Sequence, residues 1–405
     1  MPALRSEAET LHLLLARAVT VAGIEEINIG AALGRVLAQE VRAPRDLPAA
    51  DNSAMDGYAI RAGDLAPAGE TRLAVAQRIA AGATGHALAP GTAARIFTGA
   101  PLPPGADAVL PQETVRRSGD AIIVPAGGGA GGYVRKAGED LARDALALAA
   151  GTRLGPQHLG LAAALGRAQL PVRRPVRAAM FCTGDELVAP GGALAHGKVY
   201  NANGPMLYGL LTGLGCTVDD IGIVPDDPHA TSAALARAAD GADIVLTSGG
   251  ASVGEEDHVK AALAERGRLD LWQVAVKPGK PIVYGTLGAA HCFGLPGNPV
   301  SLFVTFCIFV RPFLLKLQGR TDLAPRALPA RAGFERSNPI ERREYLRGRL
   351  ARDAEGRSVV SIHTNQGSGA LSSATWADCL AIVPARETVR HGQTIDVLPY
   401  ADLLY

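Results

Sequence analysis

Between residues 176 and 317, short apolar β-type runs alternate with helical stretches. No other feature of the chain limits its fold as much. Strands are predicted at 176–182, 218–224, 243–247, 271–276, 282–284 and 292–295, and helices at 205–214, 228–239, 256–266 and 299–317 separate most of them. Such alternation predicts a doubly wound α/β domain, which places its chemistry at the carboxyl ends of its strands. The polar clusters of this segment fall at those ends.

The densest cluster follows the third predicted strand. The β-branched run Ile244, Val245 and Leu246 stops at Thr247 and passes through Ser248 into a turn containing Gly249, Gly250, Ser252 and Gly254. Three acids, Glu255, Glu256 and Asp257, then precede a helical pattern. Free N–H groups in such a turn and at a helix start favour phosphate or another oxyanion. Adjacent acids repel a bare phosphate but suit a hard cation that bridges one, so the loop points to phosphate plus Mg²⁺. The same residues also serve an ordinary βα connection whose acids face the helix dipole. The loop lacks the Lys-Ser/Thr ending of a P-loop and the spacing of a dinucleotide fingerprint.

Three further turns carry polar residues. Thr183-Gly184-Asp185-Glu186 puts two acids directly after the first predicted strand, either for a cation or ligand or as a capping turn. Lys277-Pro278-Gly279-Lys280-Pro281 fixes two ammonium groups in a turn stiffened by proline, which suits a tetrahedral oxyanion. In Leu295-Pro296-Gly297-Asn298-Pro299-Val300-Ser301, Asn298 is an N-cap and Pro299 a first helical residue, and the dipole end faces any nearby anion.

The rest of the chain has other textures. At 405 residues it exceeds the size of one core, and two to four domains are expected. Residues 1–45 and 145–175 read as a helical domain, with Leu11, Leu14, Leu15 and Val19 in helical period. Residues 46–144, rich in Gly and Pro, read as an inserted β-rich domain, 176–323 as the α/β domain, and 324–405 as a small β-barrel or sandwich. The inserted part carries polar turns at 51–59, 98–101 and 135–140. Arg342, Arg343, Arg347 and Arg349 form a basic patch or the charged face of a strand.

Forty basic against thirty-nine acidic residues leave a formal charge of +1, so no overall field draws the chain to nucleic acid or to a membrane surface. Residues 1–20 read as an amphipathic helix rather than a secretory signal. The apolar stretch 300–310 is too short to span a bilayer and reads as a buried helix. Five cysteines without a CxxC pair read as reduced core thiols, and nine histidines without HxH or HExxH spacing argue against zinc. A cytoplasmic location is expected.

Seven stretches, 51–59, 95–101 with 105–113, 135–140, 183–186, 248–257, 277–281 and 294–301, match in order the motifs of one family. Over nearly its whole length the chain resembles the molybdopterin molybdenumtransferase (MoeA) family, which the C-terminal domain of gephyrin shares. The resemblance implies an elongated homodimer of four-domain subunits with a composite active site. The implied reaction takes adenylylated molybdopterin and molybdate, inserts the metal into the dithiolene, and releases AMP with Mg²⁺. Carried over by position, Glu186, Asp226 and Asp257 are the acids for Mg²⁺ and nucleotide chemistry. Ser248, Gly249, Gly250, Ser252 and Gly254, with Pro296, Gly297, Asn298 and Pro299, line the molybdopterin site.

Asp56, Thr98 and Asp140 are implied to complete the cleft from the partner subunit, and Lys277, Lys280, Ser301, Arg347 and Ser368 to hold molybdate. The turn Asn201-Ala202-Asn203 departs from the family pattern in lacking its central serine, and Ala137 before Gly138 is a second variation. Implied partners are the molybdopterin adenylyltransferase and acceptor proteins for the finished cofactor. An adenylyltransferase and a non-catalytic, gephyrin-like scaffold are the competing readings. The inserted-domain acids favour metal insertion over the first, and the intact acidic set argues against the second.

Overall fold

In the computed structural model, which describes residues 4–21, 23–127, 132–249 and 258–404, the α/β segment forms a six-stranded sheet. Its order is Thr217–Val224, Arg177–Thr183, Ile244–Ser248, Ala290–Leu295, Pro281–Leu287 and Arg268–Gln273. The first four strands run parallel. Pro281–Leu287 runs antiparallel to both of its neighbours, and Leu287 to Ala290 is the hairpin turn that sets it against Ala290–Leu295, with Gly288 at φ +60°. A hairpin this tight admits no parallel crossover.

Successive side chains point to opposite faces of the sheet, and each face has its own core. Met180, Leu246 and Phe293 pack with the helices Asn203–Gly213 and Pro299–Thr305 and the helical residues that follow, up to Leu317. Phe181, Val245 and Cys292 pack with Pro228–Ala239 and His258–Arg266. The long core helix carries buried Phe306, Phe309 and Phe313, each contributing about 1.5–3 kcal/mol. It passes through a π-helical stretch, Phe306–Val310, just before Pro312, which can neither donate an N–H nor fit its ring against the carbonyl four residues back. This helix, 299–317, is long and apolar enough to cross a membrane by composition, yet it is 94% buried within the protein.

All five cysteines are free and buried. Burial pushes Cys182 up to about 11 and Cys216, Cys292 and Cys307 up to about 12, which keeps them as unreactive thiols.

The first helix, Glu7–Arg17, closes its N-terminus with a Ser6/Glu9 capping box. Leu14 joins the α/β core rather than a separate helical unit. Residues 24–28, within the stretch that reads as helical, form the strand Ile24–Asn28, paired antiparallel with Gln169–Arg173. The pairing across the chain overrides a local helical period. The helix Pro156–Ala164 packs beside this pair.

The inserted segment holds a six-stranded sheet ordered Ala108–Pro111, Gly57–Ile60, Thr92–Ile96, Thr71–Ile79, Ala121–Val124 and Arg116–Ser118. Near the C-terminus, Arg343–Arg352, Ser358–Ile362, Leu328–Ala332, Thr394–Pro399 and Cys379–Val383 close into a barrel through the pairing of the last with the first. A two-residue strand from the α/β segment, Val276–Lys277, adds to this barrel parallel to Arg343–Arg352. Tyr345 donates its hydroxyl to Glu7 at 2.5 Å, which ties the barrel to the first helix as well.

Candidate functional site

The strand order reverses between Arg177–Thr183 and Ile244–Ser248, whose carboxyl ends lie side by side with Cys182 opposite Ser248. Open α/β sheets bind ligands at this kind of switch point. A cleft of about 660 Å³ opens there, lined by Glu186, Asn203, Gly249, Pro296, Gly297, Asn298, Pro299, Ser301 and Gly369, with Tyr200 and Pro281 at its walls.

Gly249 has φ +91°, and a Cβ at this position would stand 2.4 Å from the Thr183 carbonyl oxygen. Only glycine lets the two strand ends approach so closely. Its amide is already used, donating to the Leu295 carbonyl at 3.2 Å. Asn203 ties the cleft together, its Nδ2 donating to Ser248 Oγ and to the Gly297 carbonyl, each at 2.7 Å. Asn203 Oδ1, Thr183 Oγ1 and Thr247 Oγ1 are buried without a hydrogen-bond partner among the described residues.

The acids after the first strand are locked by backbone contacts. Asp185 N–H donates to Asp226 Oδ2 at 3.2 Å and Asp226 N–H to Asp185 Oδ1 at 3.1 Å. The Glu186 carboxylate folds over Gly184, within 2.6 Å of where a Cβ would be. Neither Glu186 nor Asp226 has a basic side chain as an ion-pair partner among the described residues. Hard oxygen donors left without a cation suit Mg²⁺. No three potential ligands gather into a metal cluster among the described residues. Gly250, Ser252, Gly254 and Asp257, with Glu255 and Glu256, lie outside those residues.

On the other side of the cleft, the lysine turn packs on the core helix. A Cβ on Gly279 (φ +103°) would meet Thr305 Cγ2 at 2.3 Å. Ser301, 5% exposed, faces the cleft, and its neighbour Val300 donates its N–H to the Ser368 carbonyl at 2.9 Å. Asn298 occupies the N-cap position but makes no side-chain cap bond. Lys277 Nζ lies 3.1 Å from Glu344 Oε1, while Lys280 has no ion-pair partner among the described residues.

Arg347 is buried instead of reaching into the cleft. It is 1% exposed, and its guanidinium donates to Ser373 Oγ and to the carbonyls of Tyr345 and Gly367 at 3.1–3.3 Å. Burial lowers it to about 10. Gln366 exchanges two hydrogen bonds with its backbone, so Arg347 fixes the loop that carries Ser368. The expected basic patch is dispersed. Arg342 donates to the Val276 carbonyl, Arg343 pairs with Glu7, and Arg349 stacks on Trp376.

In the inserted segment, Thr98 donates both its amide and its hydroxyl to Asp56 Oδ1 at 2.8 Å. The amide bond first, then the hydroxyl, hold the Asp56 carboxyl below its usual range. Asp51 binds Lys136 Nζ at 2.8 Å and the Ala137 amide at 2.9 Å. Arg78 and Arg95 flank the Phe97 ring at 4.5 and 4.7 Å. Asp140 is exposed, and among the described residues no side chain pairs with it. No hydrogen bond or ion pair among the described residues links this cluster to the α/β cleft.

Residues 5–166 match the MoeA N-terminal region (domain I and II), 179–316 a "probable molybdopterin binding domain", and 329–400 the MoeA C-terminal region (domain IV). A molybdopterin molybdenumtransferase of Haemophilus influenzae is 37% identical over 387 residues, covering 94% of this chain and 95% of that one. The chain belongs to the MoeA family. Another family member, from Nostoc, is 34% identical over 411 residues, covering 98% and 94%. The solved molybdopterin biosynthesis MoeA protein of Pyrococcus horikoshii superposes with a TM-score of 0.85 at 30% identity, covering 98% and 100%.

Within this MoeA-family fold, sequence reasoning undervalued Asn203 and passed over Glu344 and Arg336. Asn203 stands in the very turn whose missing serine weakened its reading, and its position between two strand ends gave a usable signal. Glu344 gave none, since Lys277 lies more than sixty residues from it, and Arg336 has its role only through Glu344.

Proposed function

We propose that this protein inserts molybdenum, supplied as molybdate, into molybdopterin carried as its adenylyl ester, with release of AMP. The observation that carries this reading is the cleft at the sheet's switch point. Glu186, with no basic ion-pair partner among the described residues, stands in its lining, and Pro281 of the lysine turn forms part of its wall, which supports a place for a metal-bridged phosphate and a separate oxyanion.

Glu186 and Asp226, with Asp257, would hold Mg²⁺. A bound divalent ion supplies Lewis-acid charge neutralisation at a phosphate oxygen. Asn203 and Gly249 shape the floor under the nucleotide. Asn203 keeps Ser248 and Gly297 in register, and Gly249 leaves the room a side chain would fill. Lys277, Lys280 and Ser301 receive the molybdate dianion, and Arg347 holds the Ser368 loop against the helix start.

Asp56, Thr98 and Asp140 act in a composite site, supplied by the second subunit of a homodimer. Support for this is that, among the described residues, their cluster shares no polar contact with the cleft of its own chain. The enzyme works in the cytoplasm, hands its product to acceptor proteins, and receives its substrate from an adenylyltransferase.

Purified protein incubated with adenylylated molybdopterin, Mg²⁺ and molybdate should release AMP and yield cofactor that activates an apo-molybdoenzyme. Absence of both products rules the reading out. Mixing Asp56→Ala with Glu186→Ala subunits should restore part of the activity that each homodimer lacks. No recovery would remove the composite site.

A further inference from the structure

Glu344 lies on the barrel strand opposite Lys277, in the two-residue pairing that joins barrel to α/β segment. Its side chain is 2% exposed, and two cations converge on one of its oxygens. Lys277 Nζ is 3.1 Å and an Arg336 terminal nitrogen 2.6 Å from Oε1. Arg336 Nε also donates to Oε2 at 3.2 Å. Burial works against the charged form, and the bonds from Arg336 and Lys277 outweigh it, so Glu344 remains a carboxylate.

The two cations are held differently. Arg336 engages both oxygens with its planar fork. Lys277 offers one point contact, and its side chain is 41% exposed. A buried carboxylate cannot lose its last cation cheaply, since stranding a buried charge is strongly destabilising. With Arg336 in place, Lys277 is not the last cation. Lys277 also belongs to the turn whose Gly279 packs on Thr305, one helical turn beyond Ser301 in the cleft wall.

We propose that Lys277 exchanges partners during the reaction, leaving Glu344 for the incoming molybdate dianion while Arg336 stays on Glu344. The proposal rests on the reading of Lys277 as an oxyanion ligand. Glu344 then competes with the dianion for Lys277, and Arg336 lets the dianion win. Both are positioning residues that act through Lys277.

The readout is the molybdate concentration for half-maximal AMP release, together with titration of molybdate alone into the intact protein. Glu344→Gln frees Lys277 and should lower that concentration about fivefold, whereas Arg336→Gln should raise it by a similar factor. Arg336→Lys keeps a charge but loses the fork, and should raise it less. A purely structural role at the barrel junction would move Glu344→Gln and Arg336→Gln in the same direction, and that result overturns the exchange.

If Glu344→Gln does not accumulate as folded protein, the two Arg336 variants still decide. A larger rise for Gln than for Lys supports the exchange, and no rise overturns it. Lys277→Ala reads the underlying assignment separately: an unaltered molybdate dependence there removes Lys277 from the oxyanion site, whatever the other variants do.

Discussion

In the inserted segment Asp56 takes two hydrogen bonds from Thr98 and Asp51 takes Lys136 and an amide, while Asp140 stands exposed with no side-chain partner among the described residues. At the carboxyl ends of the α/β sheet, Thr183 Oγ1, Thr247 Oγ1 and Asn203 Oδ1 are buried with none among the described residues, and Glu186 has no cation. Buried polar groups are nearly always paired, so an unpaired set marks a place where the partner comes from outside the chain. Asp56 and Asp51 already have partners within the chain, while the cleft is shaped for something it receives.

Several substitutions test that contrast. The largest effect is expected from Glu186→Ala. It should lower AMP release on the order of a hundredfold or more while leaving the unfolding midpoint unchanged, because a charge that contacts substrate or its metal acts on the transition state. A fall in stability that matches the fall in activity would make Glu186 a structural residue instead.

Next comes a pair of glycines with similar backbone and different surroundings. Gly249 (φ +91°) faces the Thr183 carbonyl, whereas Gly99 (φ +81°) has open space around its Cβ position. Gly249→Ala should cost about 2–4 kcal/mol in urea unfolding and Gly99→Ala about 1 kcal/mol. Equal costs would mean that the strand ends relax apart, and the close approach under the cleft would lose its meaning.

The smallest effect concerns Asp56. Thr98 holds its carboxyl below the usual range, so Asp56 keeps its charge to lower pH than a free aspartate does. Thr98→Val removes the hydroxyl donor and keeps the amide, so the carboxyl should rise toward its ordinary value. The acid limb of the activity profile then moves to higher pH. A limb that stays in place would exclude Asp56 as the group that titrates there.

Much of the α/β architecture was legible because its punctuation is local. The predicted helix 228–239 coincides with Pro228–Ala239, where Asp227 accepts the Ala230 amide at 2.7 Å and Pro228 opens the first turn. The apolar runs stop where polar turns begin, so the strand ends that line the cleft were visible. What stayed hidden depends on distant pairing. Ile24–Asn28 is a strand only because Gln169–Arg173 lies beside it. Arg347 reads as a surface charge, yet Tyr345, Gly367 and Ser373 converge on it once the barrel closes. The Glu344 carboxylate has meaning only when Lys277 and Arg336 arrive from two other segments.

The two-residue strand Val276–Lys277 makes the lysine turn the common property of two folding units. A chain ending before residue 324 would leave that strand's N–H and C=O groups without the barrel edge that takes them, a template open to any extended peptide. During synthesis the turn is therefore made long before its partner strand, and the sheet must wait with an uncovered seam until about seventy further residues have emerged. Lys277 gains its strand partner and its contact with Glu344 only once Arg343–Arg352 is in place.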